Sequence, residues 1–351
     1  RGTEQGRPPA RWYAGESHPP APDLDTVPGR WRADVWPSPR SAELVVEIDG
    51  RDPYPVAPDV GLSAWNSCAG HLPYGQPTDQ REDDARSLTW DRPVHDPVEI
   101  AGSPRLRLRV AASAPVATLS AKLCDVAPDG TSTLVTRGLL NLTRRDGMAQ
   151  AAAMNPGEVY EVEVVLEATA WRWLPGQTLR LSLAGVDWPN TVAPPAPVVL
   201  TVHGGELVLP SYDPTGSPYD EPAFTPGSDA ETDHGVTAWQ LTRDVLTRVT
   251  GAHVDHGSSY DGPYGGVVER YQGAVSVDTR SWAQRAEAEV EFVLRFDDDG
   301  TGGEVKCTAG STLLVTADAE AFHVEIELSC REGEREVASR SWRRSYPRDL
   351  A

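Results

Sequence analysis

Residues 256–261 (H-G-S-S-Y-D) hold the side-chain types of a serine hydrolase within one short segment. A serine nucleophile needs a histidine base and a carboxylate, and these groups meet across a fold from distant parts of a chain. Here His256, Ser258 and Asp261 lie too close together in sequence for that arrangement. The Gly-x-Ser-x-Gly string of a nucleophile elbow is also missing from the sequence. We therefore predict a flexible turn here, and no catalytic residue anywhere in this chain.

The densest group of carboxylates lies in residues 79–86 (D-Q-R-E-D-D-A-R). Paired carboxylates can perform acid–base chemistry. More often such a cluster is solvated or pairs with nearby cations, here Arg81 and Arg86, and this is what we predict. A second acidic run, 297–300 (D-D-D-G), resembles a calcium loop, but its twelfth position is Thr308 and its flanks read as strands, so we expect a hairpin turn. The histidines are scattered, and no metal or other cofactor is predicted.

Exposed tryptophans in a β-sandwich can stack on sugar rings, which would make the chain a carbohydrate-binding module. The candidates for such stacking are Trp65, Trp171, Trp173 and Trp188. Aromatic side chains of sandwiches more often fill cores or interfaces. An independent, carbohydrate-binding module is therefore the alternative interpretation of this chain.

The net charge of −20 argues against nucleic acid as a partner, because phosphates are bound by clustered Lys and Arg. No apolar run reaches the ~18 residues of a membrane span. The chain starts at Arg1 and its first methionine is Met148, so we expect a processed or trimmed segment. No CxxC pair is present among the four cysteines. A cytoplasmic location is favoured, so the cysteines are expected to be free thiols. Cys307 and Cys330, however, lie on candidate neighbouring strands and could form a disulfide.

Alternation of apolar and charged residues predicts antiparallel strands. Residues 105–110 (R-L-R-L-R-V), 160–164 (Y-E-V-E-V) and 290–296 follow this period of two, with turn signals between the runs. No amphipathic helix separates them. The fold class is thus all-β: an antiparallel jelly-roll sandwich, galactose-binding-like, followed by a smaller antiparallel β domain.

Proline content marks the boundaries between these parts. Residues 1–40 read as a Pro-rich extended lead-in that needs no sheet of its own. Residues 41–210 form the jelly-roll, 211–233 a Pro-rich linker, and 234–351 the C-terminal β domain, in which the ambiguous stretch 236–249 is assigned to strands.

Several of these segments together resemble one family, the C-terminal part of X-prolyl dipeptidyl peptidase and cocaine esterase-type serine hydrolases. The matching segments are 79–90 (D-Q-R-E-D-D-A-R-S-L-T-W), 121–130 (A-K-L-C-D-V-A-P-D-G), 174–181 (L-P-G-Q-T-L-R-L, departing at Gln177 and Thr178) and the 187–190 loop (D-W-P-N). Their order and spacing make the likeness fairly specific. It implies a jelly-roll attached to an α/β-hydrolase domain that holds the serine nucleophile, so no catalytic residue is carried over to this chain.

The resemblance implies that this chain is the non-catalytic half of a serine hydrolase of esterase, amidase or X-Pro peptidase type. Its role would be to shape the active-site entrance and to form domain or subunit contacts, with an α/β-hydrolase domain as partner and a homo-oligomer possible. The residues that we expect at the domain interface are Trp31, Trp36, Trp65, Asp187, Trp188 and Asn190.

Overall fold

The structure, a computed structural model, describes residues 9–21, 24, 26–64, 77–216, 219, 221–223, 237–262, 265–296 and 305–351. The chain divides into two compact units, Arg1–Phe224 with Leu350 and Thr225–Asp349 with Ala351. Within the described ranges nearly all regular structure is β, which confirms the predicted fold class.

In the first unit the strands are β1 Ala10–Glu16, β2 Gly29–Asp34, β3 Ser41–Ile48, β4 Tyr54–Pro55, β5 Leu88–Pro93, β6 Val98–Gly102, β7 Arg105–Ala112, β8 Thr118–Val126, β9 Ser132–Asn141, β10 Val159–Val165, β11 Thr169–Trp173, β12 Thr178–Ala184 and β13 Val199–Tyr212. One short α-helix, α1, spans Arg81–Asp84, and 3-10 turns span Leu62–Ala64 and Leu142–Arg144.

Two sheets form the sandwich of the first unit. The large sheet has the order β10-β7-β13-β6-β11-β1-β2, with β3 and β4 also paired to β13. The small sheet has the order β5-β12-β8-β9. The pairing is antiparallel except between β1 and β11, which are parallel at Gly15↔Trp171. The core lies between the sheets because the alternating apolar side chains, such as Leu106 and Leu108 of β7, point inward and are buried while Arg107 and Arg109 remain exposed.

Indole groups tie the two sheets together across the core. Trp171 of β11 donates its Nε1–H to Asp125 Oδ2 of β8 over 2.9 Å. Trp173, fully buried, lies with its Nε1 3.4 Å from the Cys124 carbonyl oxygen. Both indoles therefore bury their large apolar surface without leaving the N–H group in an apolar environment.

The lead-in differs from the sequence prediction. Residues 10–16 and 29–34 form β1 and β2, two strands at one end of the large sheet. The prolines of this segment, which cannot donate to a sheet ladder, all fall outside these two strands. The prediction that the lead-in needs no sheet of its own was therefore wrong for 10–34. Likewise β13 continues to Tyr212, into the segment predicted as a linker.

The second unit is one antiparallel sheet whose seven strands follow each other in chain order. They are β14 Thr237–Asp244, β15 Val249–Gly262, β16 Gly265–Asp278, β17 Gln284–Phe296, β18 Val305–Ala317, β19 Ala321–Glu332 and β20 Arg335–Pro347. The assignment of 236–249 to strands is confirmed for Thr237–Asp244 and Val249, whereas residues 245–248 form the turn between β14 and β15. The segment 256–261 lies inside β15, so the prediction of a flexible turn was wrong.

Three cysteines fall in the described part of the chain, and all are free thiols: Cys124, Cys307 and Cys330. Cys307 is opposite Glu332 and Cys330 is opposite Ala309, so the two are on neighbouring strands but out of register. The run 297–300 lies outside the described residues. None of the helices in the described ranges is long and apolar enough to cross a membrane.

Candidate functional site

Residues 79–87 cover the outer face of the small sheet, and residues 88–90 begin its strand β5. The backbone of 79–87 is joined to β9 because Gln80 N donates to the Ser132 carbonyl oxygen over 2.9 Å, and Ser132 N donates to Asp79 Oδ1 over 3.1 Å. The helix α1 then carries two buried carboxylates, Asp83 and Asp84, toward the sheet. Buried carboxylates need cations and hydrogen bonds, and the sheet below supplies both.

Lys122 of β8 lies at the centre of this buried polar cluster. Its Nζ is 2.9 Å from Asp83 Oδ2, 3.6 Å from Asp187 Oδ1 and 3.3 Å from Gln80 Oε1. The side chains of Lys122, Asp83 and Asp187 are 3%, 3% and 0% exposed. Burial by itself lowers the pKa of Lys122, but the Asp83 and Asp187 carboxylates outweigh burial and the pKa is raised above its ordinary value. Lys122 is thus held as a cation in the interior.

Asp187 joins this cluster to a second cation. Arg137 NH1 donates to Asp187 Oδ2 over 2.9 Å, and Asn190 Nδ2 donates to the same oxygen over 3.0 Å. The 187–190 loop is thereby fixed to β9. The arrangement has the charge pairing expected of a structural anchor, since every charged side chain in it is neutralised within the fold.

The 187–190 loop also packs on the loop that contains Gly61. Trp188 N donates to the Val60 carbonyl oxygen over 2.7 Å, and the Trp188 side chain is only 3% exposed. Asp83 holds the same loop from the other side, accepting from Gly61 N over 3.1 Å. Gly61 has φ +126°, and a Cβ atom there would lie 2.6 Å from the backbone N and O of Trp188. Only glycine fits this close approach.

The acidic group at 79–86 differs in part from its prediction. Asp79 does pair with Arg81 on the surface, at 2.6 Å. Asp84, however, is buried against Arg180 of β12 at 3.1 Å, and Asp83 pairs with Lys122. The prediction that the cluster is solvated or pairs with Arg81 and Arg86 was therefore wrong for these two carboxylates, because α1 turns them toward the sheet.

A different surface is formed by the edge hairpin, which we define as β1 and β2 together with Val35 and Trp36. Val35 is 58% exposed, Trp36 54% and Tyr13 37%. Trp12 packs edge-on against Trp36, with ring centroids 5.9 Å apart. The hairpin thus carries a group of exposed apolar side chains at one end of the large sheet.

A buried ion pair holds the edge hairpin in place. Arg32 of β2 donates from Nε to Glu99 Oε1 over 2.8 Å and from NH2 to Glu99 Oε2 over 2.9 Å. Burial of both side chains makes this a strong bidentate contact between β2 and β6. The neighbouring rings of Tyr13 and Trp31 pack edge-on, with centroids 5.4 Å apart. The exposed side chains therefore sit on a firmly anchored strand.

The residues expected at an interface fall into different environments. Trp36 is exposed and Trp31 is partly exposed, and both belong to the edge hairpin. Asp187 and Trp188 are buried and Asn190 is partly exposed, within the anchored 187–190 loop. The sixth residue, Trp65, lies outside the described residues. The assignment of these residues to an interface stays a prediction.

The sugar-stacking candidates are mostly inaccessible. Trp171, Trp173 and Trp188 are 7%, 0% and 3% exposed. An indole that stacks on a sugar must present one face to solvent, so these three were wrong candidates. The fourth, Trp65, is outside the described part of the chain.

The serine segment of β15 does not assemble a catalytic group. Ser258 Oγ donates to Glu269 Oε1 over 2.6 Å, and His256 stacks on the Tyr271 ring with centroids 6.2 Å apart. Ser258 therefore bonds a carboxylate rather than a histidine base. In the described ranges no group of three or more His, Cys, Asp or Glu side chains could hold a metal ion.

Sequence reasoning missed Lys122 and Arg137 as central residues. The available signal was Lys122 itself, a charged side chain in the middle of the largely apolar run 119–124 (L-S-A-K-L-C). A strand that is buried on both faces and still contains a lysine requires a buried carboxylate nearby. The sequence does not indicate which of many carboxylates that is, because Asp83 of α1 and Asp187 of the 187–190 loop are 39 and 65 residues away in the sequence.

The sequence of this chain is similar to those of several known proteins. Residues 7–242 match the family described as the X-Pro dipeptidyl-peptidase C-terminal non-catalytic domain. The cocaine esterase of Rhodococcus sp. (strain MB1 Bresler) is 33% identical over 95 residues, which cover 27% of this chain and 17% of the esterase. A putative serine esterase of Mycobacterium tuberculosis (strain CDC 1551 / Oshkosh) is 26% identical over 242 residues, which cover 56% of this chain and 38% of that protein.

The chain thus spans 17% and 38% of the length of these two relatives. Among solved structures, an aminopeptidase from a marine sediment archaeon, Thaumarchaeota archaeon, aligns with a TM-score of 0.47 at 19% sequence identity. That alignment covers 52% of this chain and 39% of the aminopeptidase.

Proposed function

This chain belongs to the family of X-Pro dipeptidyl-peptidase C-terminal non-catalytic domains, and we propose that it is the accessory half of a serine hydrolase. In this proposal an α/β-hydrolase domain carries the nucleophile and performs acyl transfer on an ester, an amide or an X-Pro peptide. The sandwich docks on that domain, helps to shape the entrance of its active site and contributes to domain contacts.

The observation that carries the proposal is the exposed apolar group on the edge hairpin. Val35, Trp36 and Tyr13 all belong to this hairpin at the end of the large sheet, where β2 has a neighbour on one side only among the described strands. Exposed aromatic side chains beside an open strand edge are typical of interaction surfaces. The Arg32–Glu99 pair holds this surface rigid, which reduces the entropy that binding must overcome.

The buried Lys122 cluster supports the proposal in a different way. It fixes the 187–190 loop and the loop around Gly61 to the small sheet through Asp187 and Asp83. Two loops held by buried ion pairs keep a defined shape. Such loops are suited to form one wall of a cleft on a neighbouring catalytic domain.

The first test concerns the gene and the chemistry. We expect the gene to encode an α/β-hydrolase domain in the same polypeptide, and a fluorophosphonate probe to label a serine of that domain and none in this chain. Stoichiometric labelling of a serine in this chain, or a gene with no hydrolase domain, would contradict the proposal.

The second test concerns the surface. The hydrolase domain, produced separately, should bind this chain, and Trp36→Ala should weaken binding by roughly tenfold or more, as for a central aromatic of an interface. Val165→Ala is the matched control, because Val165 is equally exposed, at 55%, on β10 at the opposite end of the same sheet. Equal effects of the two substitutions on the dissociation constant would argue against the edge hairpin as the docking surface.

A further inference from the structure

The strand β20 forms one edge of the seven-stranded sheet of the second unit. It pairs with β19 on one side and has no second neighbour among the described strands. Every residue of β20 is exposed, over a length of 13 residues. A long edge strand presents a row of unpaired backbone groups, and these groups are a template with which another strand can pair.

The hydrogen bonds to β19 decide which backbone groups of β20 face the open edge. Arg348 N donates to the Glu320 carbonyl oxygen over 2.9 Å, in the register of the β19–β20 ladder. Because bonded and non-bonded pairs alternate in an antiparallel ladder, the even-numbered residues of 338–346 bond β19, and the odd-numbered residues of 339–347 direct their backbone groups outward. Pro347, which has no N–H group to donate, occupies one of the outward positions, where a proline is tolerated.

The side chains of β20 are basic, although the chain as a whole has a net charge of −20. The strand contains four arginines and one carboxylate, namely Arg335, Arg340, Arg343, Arg344 and Glu336. Arg335 and Arg343 each pair with a glutamate of β19. No described residue forms an ion pair with Arg340 or Arg344. These two cations are therefore available to a partner.

The two available arginines flank an aromatic side chain on one face of the sheet. Arg340, Trp342 and Arg344 follow each other at intervals of two residues and so share a face, and Tyr346 continues the row. Trp342 is 39% exposed and Tyr346 is 54% exposed. The Arg344 guanidinium donates to the outward carbonyl oxygen of Arg343 over 3.1 Å, so this cation already lies at the open edge.

We propose that β20 binds an extended acidic segment of another protein, which adds to the sheet as a further antiparallel strand. The outward backbone groups of residues 339–345 bond the added strand. Its carboxylates lie opposite Arg340 and Arg344, with an apolar side chain opposite Trp342. These are the non-hydrogen-bonded pairs of the new ladder, in which facing side chains are closest. The Arg344 guanidinium moves to a carboxylate, and an N–H group of the added strand takes its place on the Arg343 carbonyl.

Charge complementarity identifies this occupant. A second copy of β20, added antiparallel about Trp342, would set Arg340 against Arg344, and like charges directly opposite each other destabilise a strand pair. An acidic strand makes both of these positions opposite-charge pairs, each of which contributes roughly twofold to fivefold in affinity. The same complementarity steers the acidic strand to this edge and away from the acidic remainder of the chain.

The test is titration of the full chain with a fluorescent peptide, followed by anisotropy. The probe is Thr-Glu-Thr-Val-Thr-Glu-Thr, whose two glutamates have the spacing of Arg340 and Arg344. The matched control peptide carries lysine in place of both glutamates and should bind at least roughly tenfold more weakly. A dissociation constant above about 1 mM for the glutamate peptide overturns the proposal, as does equal binding of the two peptides.

Methylation of the peptide backbone separates strand addition from simple attraction between charges. The threonines on either side of the valine direct their N–H groups at β20, whereas the valine opposite Trp342 directs its own away. An N-methyl group on one of these threonines should weaken binding by roughly tenfold, because it removes a donor of the new ladder. An N-methyl group on the valine should leave binding unchanged. Equal effects of the two methyl groups would mean that no strand is added, and overturn the proposal.

Substitutions in β20 test the same edge from the side of the chain. Ser341→Pro removes an outward N–H group but no bond to β19, and should weaken binding by roughly tenfold. Ser341→Ala keeps that N–H group and is the matched control. The double variant Arg340→Glu with Arg344→Glu, at two exposed positions, should reverse the preference from the glutamate peptide to the lysine peptide. Retention of the original preference by the double variant overturns the proposal.

Sedimentation of the chain without peptide tests the alternative occupant. A dimer that Ser341→Pro converts to a monomer assigns the edge to a second copy and overturns the proposal. The edge hairpin lies on the other unit, and Trp36→Ala should leave binding of the glutamate peptide unchanged. Failure of the hydrolase domain to bind would therefore contradict the proposed function alone, and failure of the peptide to bind would contradict only the present proposal.

Discussion

Lys122 and Arg137 stand directly opposite each other on β8 and β9, two cations on the same covered face of the small sheet. Like charges in this position repel each other. The Asp187 carboxylate resolves the repulsion, with Oδ1 3.6 Å from Lys122 Nζ and Oδ2 2.9 Å from Arg137 NH1. The small sheet therefore requires the loop that carries Asp187, because its carboxylate neutralises these two cations. Several predictions of stability depend on this loop.

Asp187→Asn should destabilise the sandwich by about 3 kcal/mol or more, because it removes a buried anion and leaves two buried cations facing each other. Urea unfolding followed by tryptophan fluorescence measures this. Asp91→Asn is the control: Asp91 also pairs with an arginine of the small sheet, Arg180 at 2.7 Å, but is 44% exposed. The control should cost about 1 kcal/mol or less. Similar losses in both variants would contradict the role of Asp187.

Trp188→Ala should lower the free energy of unfolding by about 3–5 kcal/mol, as expected for a large aromatic side chain removed from a core. Trp36→Ala, at an exposed position, should change it little. The two variants are compared by thermal unfolding and, at a temperature where both are folded, by binding to the hydrolase domain. If Trp188→Ala left the melting temperature unchanged and weakened only the binding, Trp188 would be an interface residue after all.

Gly61→Ala should destabilise the chain more than Gly147→Ala does. Both glycines have a positive φ, +126° and +132°, so both substitutions cost backbone strain of about 1–3 kcal/mol. At Gly61 the new Cβ also meets the backbone of Trp188 at 2.6 Å, whereas nothing lies within 4 Å at Gly147. The difference between the two unfolding free energies isolates the contact of the Gly61 loop with Trp188. Equal losses would mean that this contact is not tight in solution.

Asp125→Asn should change the pH dependence of stability. Burial raises the pKa of Asp125 above 3.8, although hydrogen bonds from Ser17 and Trp171 partly oppose it. The folded chain therefore holds this proton more tightly than the unfolded chain, and the contribution of Asp125 to stability is greatest below 3.8 and is lost as the pH rises through the folded pKa. Asparagine can still accept both hydrogen bonds and does not ionise.

The stability of Asp125→Asn relative to the unsubstituted chain should thus rise with pH across that window, measured by urea unfolding from about pH 3 to about pH 7. Asp129→Asn is a control of opposite sign. Hydrogen bonding by Thr131 lowers the pKa of Asp129, so its contribution is lost as the pH falls. A relative stability of Asp125→Asn that falls with pH would show that the carboxylate is stabilised in the folded chain.

The positions of many strands along the chain, and the side chains that they turn inward, follow from local sequence. The alternation in 105–110 predicted β7, and that in 290–296 predicted β17, because a strand turns successive side chains to opposite faces. The absence of the elbow string and the family likeness both depend on short segments that can be read without a fold. The pairing of strands from distant parts of the chain was harder to predict. The strands β1 and β2 were overlooked because residues 1–40 are rich in proline.

The sequence by itself determined the all-β class, the acidic surface and the family resemblance, since these depend on composition, on a period of two residues and on short motifs. Only the tertiary structure decided that Trp188 is buried while Trp36 is exposed, and that Lys122, Asp83 and Asp187 meet. The physical reason is that burial and ion pairing depend on which distant segments come together, and a charged or aromatic side chain looks the same in the sequence whether it is covered or not.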